Sequence, residues 1–364
     1  MNFRDLTDLI EFGNDKITIS EDVILEEETF TSANADNLVI EGCNHTIDGN
    51  GQTFHLDNNS NLTVRNVEFK NFKTPYLMTL LKNNKTLSFI NCKFINLDCG
   101  YGLISNKGNV IIDNCEFIGN DGVIHENYGN MKIIDSNFKD NSAEYTKTIC
   151  KNFEDSTLII SNSTFSENFT KGDGLIHNKG TSKITDCSFH DNLARNNDIC
   201  VIYNEKGVLT IEKCNFNNNR NEFCTNDYGG YFVSILNRSG NVFLKDSKFE
   251  SENQGYGKSI CNGGYFNIVG CWFKDSQILN IGIDEAPSSF TDRYYLKIEK
   301  SQFRDENNII IRNCSSCKII SCDINDNYIS NEDVIVISRE DFKKLEESNG
   351  KINNEFESAK IVID

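Results

Sequence analysis

The sequence is poor in proline, methionine, tryptophan and histidine. Only Pro75 and Pro287 occur in 364 residues, beside three Met, five His and the single Trp272. So few prolines suit a backbone that is hydrogen-bonded almost throughout. Basic residues are the minority, 36 against 54 acidic, for a formal charge of -18. That balance argues against proteins that track nucleic-acid phosphates and against anionic membrane surfaces. No apolar run approaches the roughly 20 residues that span a bilayer. The opening MNFRDLTDLIEF lacks a basic stretch followed by an apolar one. No export signal is read there, and a cytoplasmic location is slightly favoured over the cell surface. Zinc-type paired CxxC motifs and CxxCH are also missing.

Aromatic residues and cysteine are plentiful: 25 Phe, 12 Tyr and 14 Cys. The chain is too apolar and too aromatic for disorder. Fourteen cysteines would suggest a disulfide framework, but many recur at one place in a repeat, as small buried residues do. Cys314, Cys317 and Cys322 form one CxxC with a nearby third thiol and no evident fourth metal ligand. No metal and no cofactor are expected. About one residue in seven is Asn, and its placement is regular.

A nine-residue unit recurs, as in NLTVRNVEF (61–69), TLSFINCKF (86–94), NVIIDNCEF (109–117) and VLTIEKCNF (208–216). Its closing anchors run from Phe69 through Phe94, Phe117, Phe138, Phe165, Phe189, Phe216, Phe249, Phe273 and Phe303 to Ile324. A period in the twenties is the mark of a solenoid. Positions two and four are mostly aliphatic or Phe, the alternation of a strand with one buried face. Position six is often Asn or Asp, which tolerate the left-handed backbone of a corner. Position seven is small, and position nine is a large apolar residue, Phe in every unit but the one that ends on Ile324.

Before most units an Ile is followed two or three residues later by Asn, as in Ile104/Asn106, Ile149/Asn152 and Ile176/Asn178. Asn120, Asn141, Asn168, Asn192 and Asn219 each lie three residues after an anchor Phe. Three short strands and three corners in about 25 residues describe one coil of a parallel β-helix. The fold class is therefore all-β, a single-stranded right-handed parallel β-helix of about 11–12 coils, right-handed by the rule for parallel crossovers. Short helices are expected to cap both ends. Residues 1–36 form an N-terminal cap with Phe3, Leu6, Leu9, Ile10 and Phe12 on one helical face. Residues 37–337 form the β-helix, and 338–364 a C-terminal cap of a helix, through about residue 348, and a final strand.

The segment NLVIEGCNHTIDGNGQTF (37–54) and units such as GLIHNKGTSKITDCSF resemble right-handed parallel β-helix repeat proteins. Within them the chain looks most like the adhesin-like β-helix proteins of methanogenic archaea. The resemblance covers nearly the whole chain and implies a non-catalytic recognition module for glycan or protein. Pectate lyases and polygalacturonases share the fold, so a polysaccharide lyase or glycoside hydrolase is the alternative. The paired-aspartate, GHG and RIK elements of polygalacturonases are absent, and no lyase-type calcium-binding cluster stands out. A cytosolic scaffold of unknown partner is a third reading.

Two sets of residues are candidates for chemistry. The residue after each inward Ile should point outward, which aligns Ser105, His125, Cys150, His177, Tyr203, Leu236, Cys261 and Arg312. His125, Cys150 and His177 would then be neighbours, with Asp121 and Asp173 at matching positions four residues before the histidines. Such a group could act through a Cys150 nucleophile or thiolate ligand, or it could be a surface file of mixed residues. The second set is aromatic: Tyr228, Tyr231, Tyr256, Trp272 and Tyr294, with Phe223 and Phe232 in the same insertions. These rings could stack on sugars or pack their loops against the rod. A polysaccharide, a surface glycan or a protein is the expected partner.

Overall fold

The computed structural model describes residues 2–12, 15–74, 78–100, 102–122, 124–143, 148–194, 201–221, 232–250, 257–274, 276–280, 295–304, 311–313, 316–320, 322–323, 334–337 and 360–363. Among the described residues one helix, Phe3–Phe12, precedes a succession of short strands. These strands pair in parallel between coils and, among the described residues, form sheets of 25, 12 and 4 strands. Both strands of each nine-residue unit lie in the first sheet. The Ile–Asn strands form the second, and the segments after the third-corner asparagines form the small third sheet.

The register repeats residue for residue. Asn109–Asp113 pairs with Thr86–Ile90 on one side and Asn130–Ile134 on the other. Phe117 sits between Phe94 and Phe138. Strand alternation therefore sends the second and fourth positions of every unit into one shared interior, where Leu87, Ile112, Leu158, Ile184 and Leu209 are buried. The anchor phenylalanines form a continuous stack. Ring centroids from Phe94 to Phe303 step by 4.5–5.0 Å, with planes within 13° of parallel. No coil could bury such a ring alone, because each face is covered only by the next coil.

The corners follow from backbone preference. Asn66, Asn91, Asn114, Asp135, Asn162, Asp186 and Asp246 all have φ between 48° and 55°. Lys213, Gly270 and Lys300 stand at the same corner in the same conformation. A second left-handed position lies two residues past the anchor, at Asn96, Gly119, Asp140, Glu167, Asp191 and Asn218.

Asparagine amides tie the coils along the axis. Asn58, Asn83, Asn106, Asn127, Asn152, Asn178, Asn204, Asn237 and Asn262 are fully buried. In each step an Nδ2 donates to the next Oδ1 at 2.7–2.9 Å. Asn120, Asn141, Asn168, Asn192 and Asn219 form a second ladder at 2.8–3.0 Å. Their amides also donate to anchor carbonyls such as Phe94 O and Phe117 O. The glycines after the first ladder answer to close approach. A Cβ on Gly207 would lie 2.2 Å from the Gly180 carbonyl oxygen, and one on Gly240 would lie 2.3 Å from that of Gly207.

The N-terminal helix closes one end of the rod. Asn2 and Asp5 form a reciprocal capping pair: Asp5 N donates to Asn2 Oδ1 at 2.8 Å and Asn2 N to Asp5 Oδ2 at 3.3 Å. Phe3, Leu6 and Ile10 are buried against the first coils, with Leu9 partly so. Phe12, expected on the same face, is instead 78% exposed. It ends the helix, two residues past Ile10, the last packed side chain. Strands Lys16–Thr18 and Val23–Ile24 already pair with Asn37–Asp48. At the far end Lys360–Ile363 pairs with both Ser316–Ile320 and Val334–Ile337. The helix expected from residue 338 lies outside the described residues. Among the described residues no helix is long and apolar enough to cross a membrane.

Candidate functional site

Register on the second sheet decides which outward side chains meet. The file runs Ser32, Asp57, Lys82, Ser105, Glu126, Lys151, His177, Tyr203, Leu236 and Cys261, and the backbones of Leu279 and Arg312 continue its register. This corrects the alignment read from sequence at two places. Cys150 pairs with Ile176, so it takes the inward position and Lys151 the outward one. In the coil below, an irregularity after Ile104 sets Glu126 opposite Ser105 and leaves His125 in the extra position. The Ile–Asn spacing misled because it is three residues at Ile124 and Ile149 and two elsewhere. A strand that ends on a fixed buried Asn must be counted back from that Asn.

The thiol of Cys150 is 1% exposed, and burial alone pushes its pKa up to about 12. It packs as a small apolar residue and is not poised as a nucleophile. Asp121 and Asp173 do not match either. Asp121 bridges to Asp98 and Ser142, and Ser142 stacks on Phe169. Asp173 lies four residues beyond that column.

His177 does gather a polar cluster. Its ring is 2% exposed and lies 4.6 Å from the Tyr203 ring. Nε2 is 2.9 Å from Glu205 Oε2. Nδ1 is 3.3 Å from Asp173 Oδ2 but out of line for a hydrogen bond. Lys179 Nζ reaches the same Glu205 oxygen at 2.8 Å. Burial pushes the Glu205 carboxyl up, but hydrogen bonds from Lys179 and His177 outweigh it and leave it below its ordinary value. Beyond His177 the file turns apolar, and Tyr203, Val233, Leu236 and Cys261 pack as a small cluster separate from the main core.

Of the aromatic candidates, Tyr228, Tyr231, Tyr256 and Tyr294 lie outside the described residues. Trp272 stands at an outward position of the first sheet, between Lys248 and Gln302. On the other strand of the unit, before the corner at Gly270, is an outward aromatic group that the loop-centred reading passed over. Tyr265 and Tyr295 stack at 5.3 Å, and Phe243 meets Tyr265 at 5.8 Å with a 50° tilt. Asn267 and Lys297 continue the Phe243 file. Phe243 and Val208 are each 40% exposed. Large apolar residues at the first or third position of a unit were the available signal, since alternation points those positions outward.

Cys317 lies in strand Ser316–Ile320, and Cys314 is outside the described residues. The Cys322 thiol donates to Ile320 O and Ile298 O, and burial raises its pKa to about 11. Among the described residues no three His, Cys, Asp or Glu side chains converge as a metal site.

A protein-family model described as the right handed beta helix region matches residues 78–249, in agreement with the hand expected from the sequence. A crystal structure of PfbA, a surface adhesin of Streptococcus pneumoniae, is similar at 11% identity, with 89% of each chain covered and a TM-score of 0.45. No curated protein matches the sequence.

Proposed function

We propose that this right-handed parallel β-helix is a non-catalytic, adhesin-like recognition module that binds glycan or protein through its outer sheet faces. The observation that carries the reading is the outward aromatic group of Phe243, Tyr265 and Tyr295, with Val208 further along the Tyr265 file. Phe243 and Val208 stay 40% exposed although the same sheet offers ample buried positions. Tilted off the Tyr265–Tyr295 stack, Phe243 turns hydrocarbon surface toward solvent. Rings of this kind, held by paired strands, offer rigid contact area at little entropic cost. Coil pairing fixes the interior and leaves outward positions free to vary, which suits a surface shaped for a partner.

Polysaccharide cleavage would need two carboxylates at a set separation across a groove. At the predicted file, Asp173 and Glu205 instead flank one buried imidazole, and Glu205 is also bound by Lys179. These groups serve an ion cluster. Glycan and protein arrays probed with the full chain test the reading. A hit should weaken at least tenfold in Phe243→Ala/Tyr265→Ala, since loss of each ring's buried area costs on the order of 1–2 kcal/mol. Release of reducing sugar or of an unsaturated product from a polysaccharide panel would replace this reading with an enzymatic one.

A further inference from the structure

The Phe stack that fills the rod breaks down at its N-terminal end. Where Phe3, Phe54, Phe69, Phe72 and Phe89 meet, centroids are 5.6–6.5 Å apart and planes cross at 50–87°. Rings in edge-to-face contact do not tile as parallel rings do, and a void of about 50 Å³ remains under the N-terminal helix. Leu6 and Ile10 of that helix close over it, and Leu62, Leu80 and Leu81 of the first coils line it. Every lining side chain is a hydrocarbon.

Size and chemistry together define what fits. At about 10–15 Å³ per water the void has room for several, but a buried water needs two to four polar partners. None is present, so water is excluded and the lining atoms lack neighbours on one side. A nonpolar guest restores those contacts without losing hydrogen bonds. The void is far from the aromatic group of the first sheet, and its occupancy does not depend on the recognition reading.

We propose that this void is a binding site for a small nonpolar molecule, of the size of a xenon atom or a hydrocarbon of a few carbons, with the N-terminal helix as its cover. Xenon is the probe, applied to the full chain under pressure and followed by methyl NMR. Methyl signals of Leu6, Leu62 and Leu81 should shift saturably, while those of Leu158 and Ile160 in the middle of the rod stay in place. Leu6→Phe should weaken the saturable shift at least tenfold by filling the void. Leu80→Phe, from the opposite wall, serves the same purpose should the first variant fail to fold. Unmoved cavity methyls, equal shifts along the whole rod, or undiminished binding in a folded filled variant would each overturn the proposal.

Discussion

Replacing Asn127 by Ala tests whether the buried amide ladder, rather than the polar composition of the coils, holds the stack. Asn127 is fully buried. Its Nδ2 donates to Asn152 Oδ1 at 2.7 Å and to Thr157 O at 2.9 Å. Its Oδ1 accepts from Asn106 Nδ2 at 2.8 Å and from Gly129 N at 3.3 Å. Two neighbours keep other partners: Asn106 Nδ2 still reaches Gly108 O and Asn130 O, and Asn152 Oδ1 still accepts from Ser156 Oγ. At about 1 kcal/mol per bond, with the Gly129 amide and the Thr157 carbonyl losing a partner, the cost is about 2–3 kcal/mol. Asn84→Ala is the control, because it removes one exposed bond to Asn59 and should cost under about 0.5 kcal/mol.

A repeat rod need not unfold in one step, so a single global stability is a poor measure. Local opening read by hydrogen exchange and mass spectrometry is better suited. Peptides covering strands Ile104–Asn106 to Cys150–Asn152 should exchange roughly 50-fold faster in Asn127→Ala, from the same 2–3 kcal/mol. Those from Tyr265–Val269 should be unchanged. If the variant stays within about threefold of Asn84→Ala, the ladder is not what secures the coils.

Phe138 is fully buried between Phe117 and Phe165 at 4.5 and 4.6 Å. Phe138→Ala should cost about 3–5 kcal/mol, seen as a lowered thermal midpoint, and Phe138→Leu much less. The lowered Glu205 carboxyl gives a signed pH effect. Its contribution is fully present above the ordinary value of 4.5 and is lost as pH falls through the lower folded value. Thermal midpoints of wild type and Glu205→Gln should therefore converge on acidification below 4.5; a constant gap would refute the role of the ion cluster. Alkylation of the native chain at pH 8 should label the exposed Cys43 and spare Cys150 and the fully buried Cys99. Rapid modification of Cys150 without unfolding would contradict its inward placement.

Local chemistry alone carried the architecture. The alternating positions of NVIIDNCEF, the left-handed tolerance of Asn at position six and the spacing of Phe94, Phe117 and Phe138 are each visible within one or two coils. Repetition turns them into a stacked rod, because a file of like residues can be buried or hydrogen-bonded only by its neighbours in adjacent coils. The sequence-level reading was strongest where one residue type fills a whole file.

Outward positions carry no such repetition, and there only the tertiary structure decided. One extra residue in the strand of Ile124 and a one-residue offset at Ile149 changed which side chains face solvent, turning Cys150 inward and putting Lys151 beside His177. A strand has a side-chain period of two, so a slip of one residue exchanges surface for core. The His177–Glu205–Lys179 cluster, the Phe243–Tyr265–Tyr295 group and the void under the helix all depend on contacts between coils. Spacing along a single coil cannot specify them, since each is set by which residue of the next coil lies across from it.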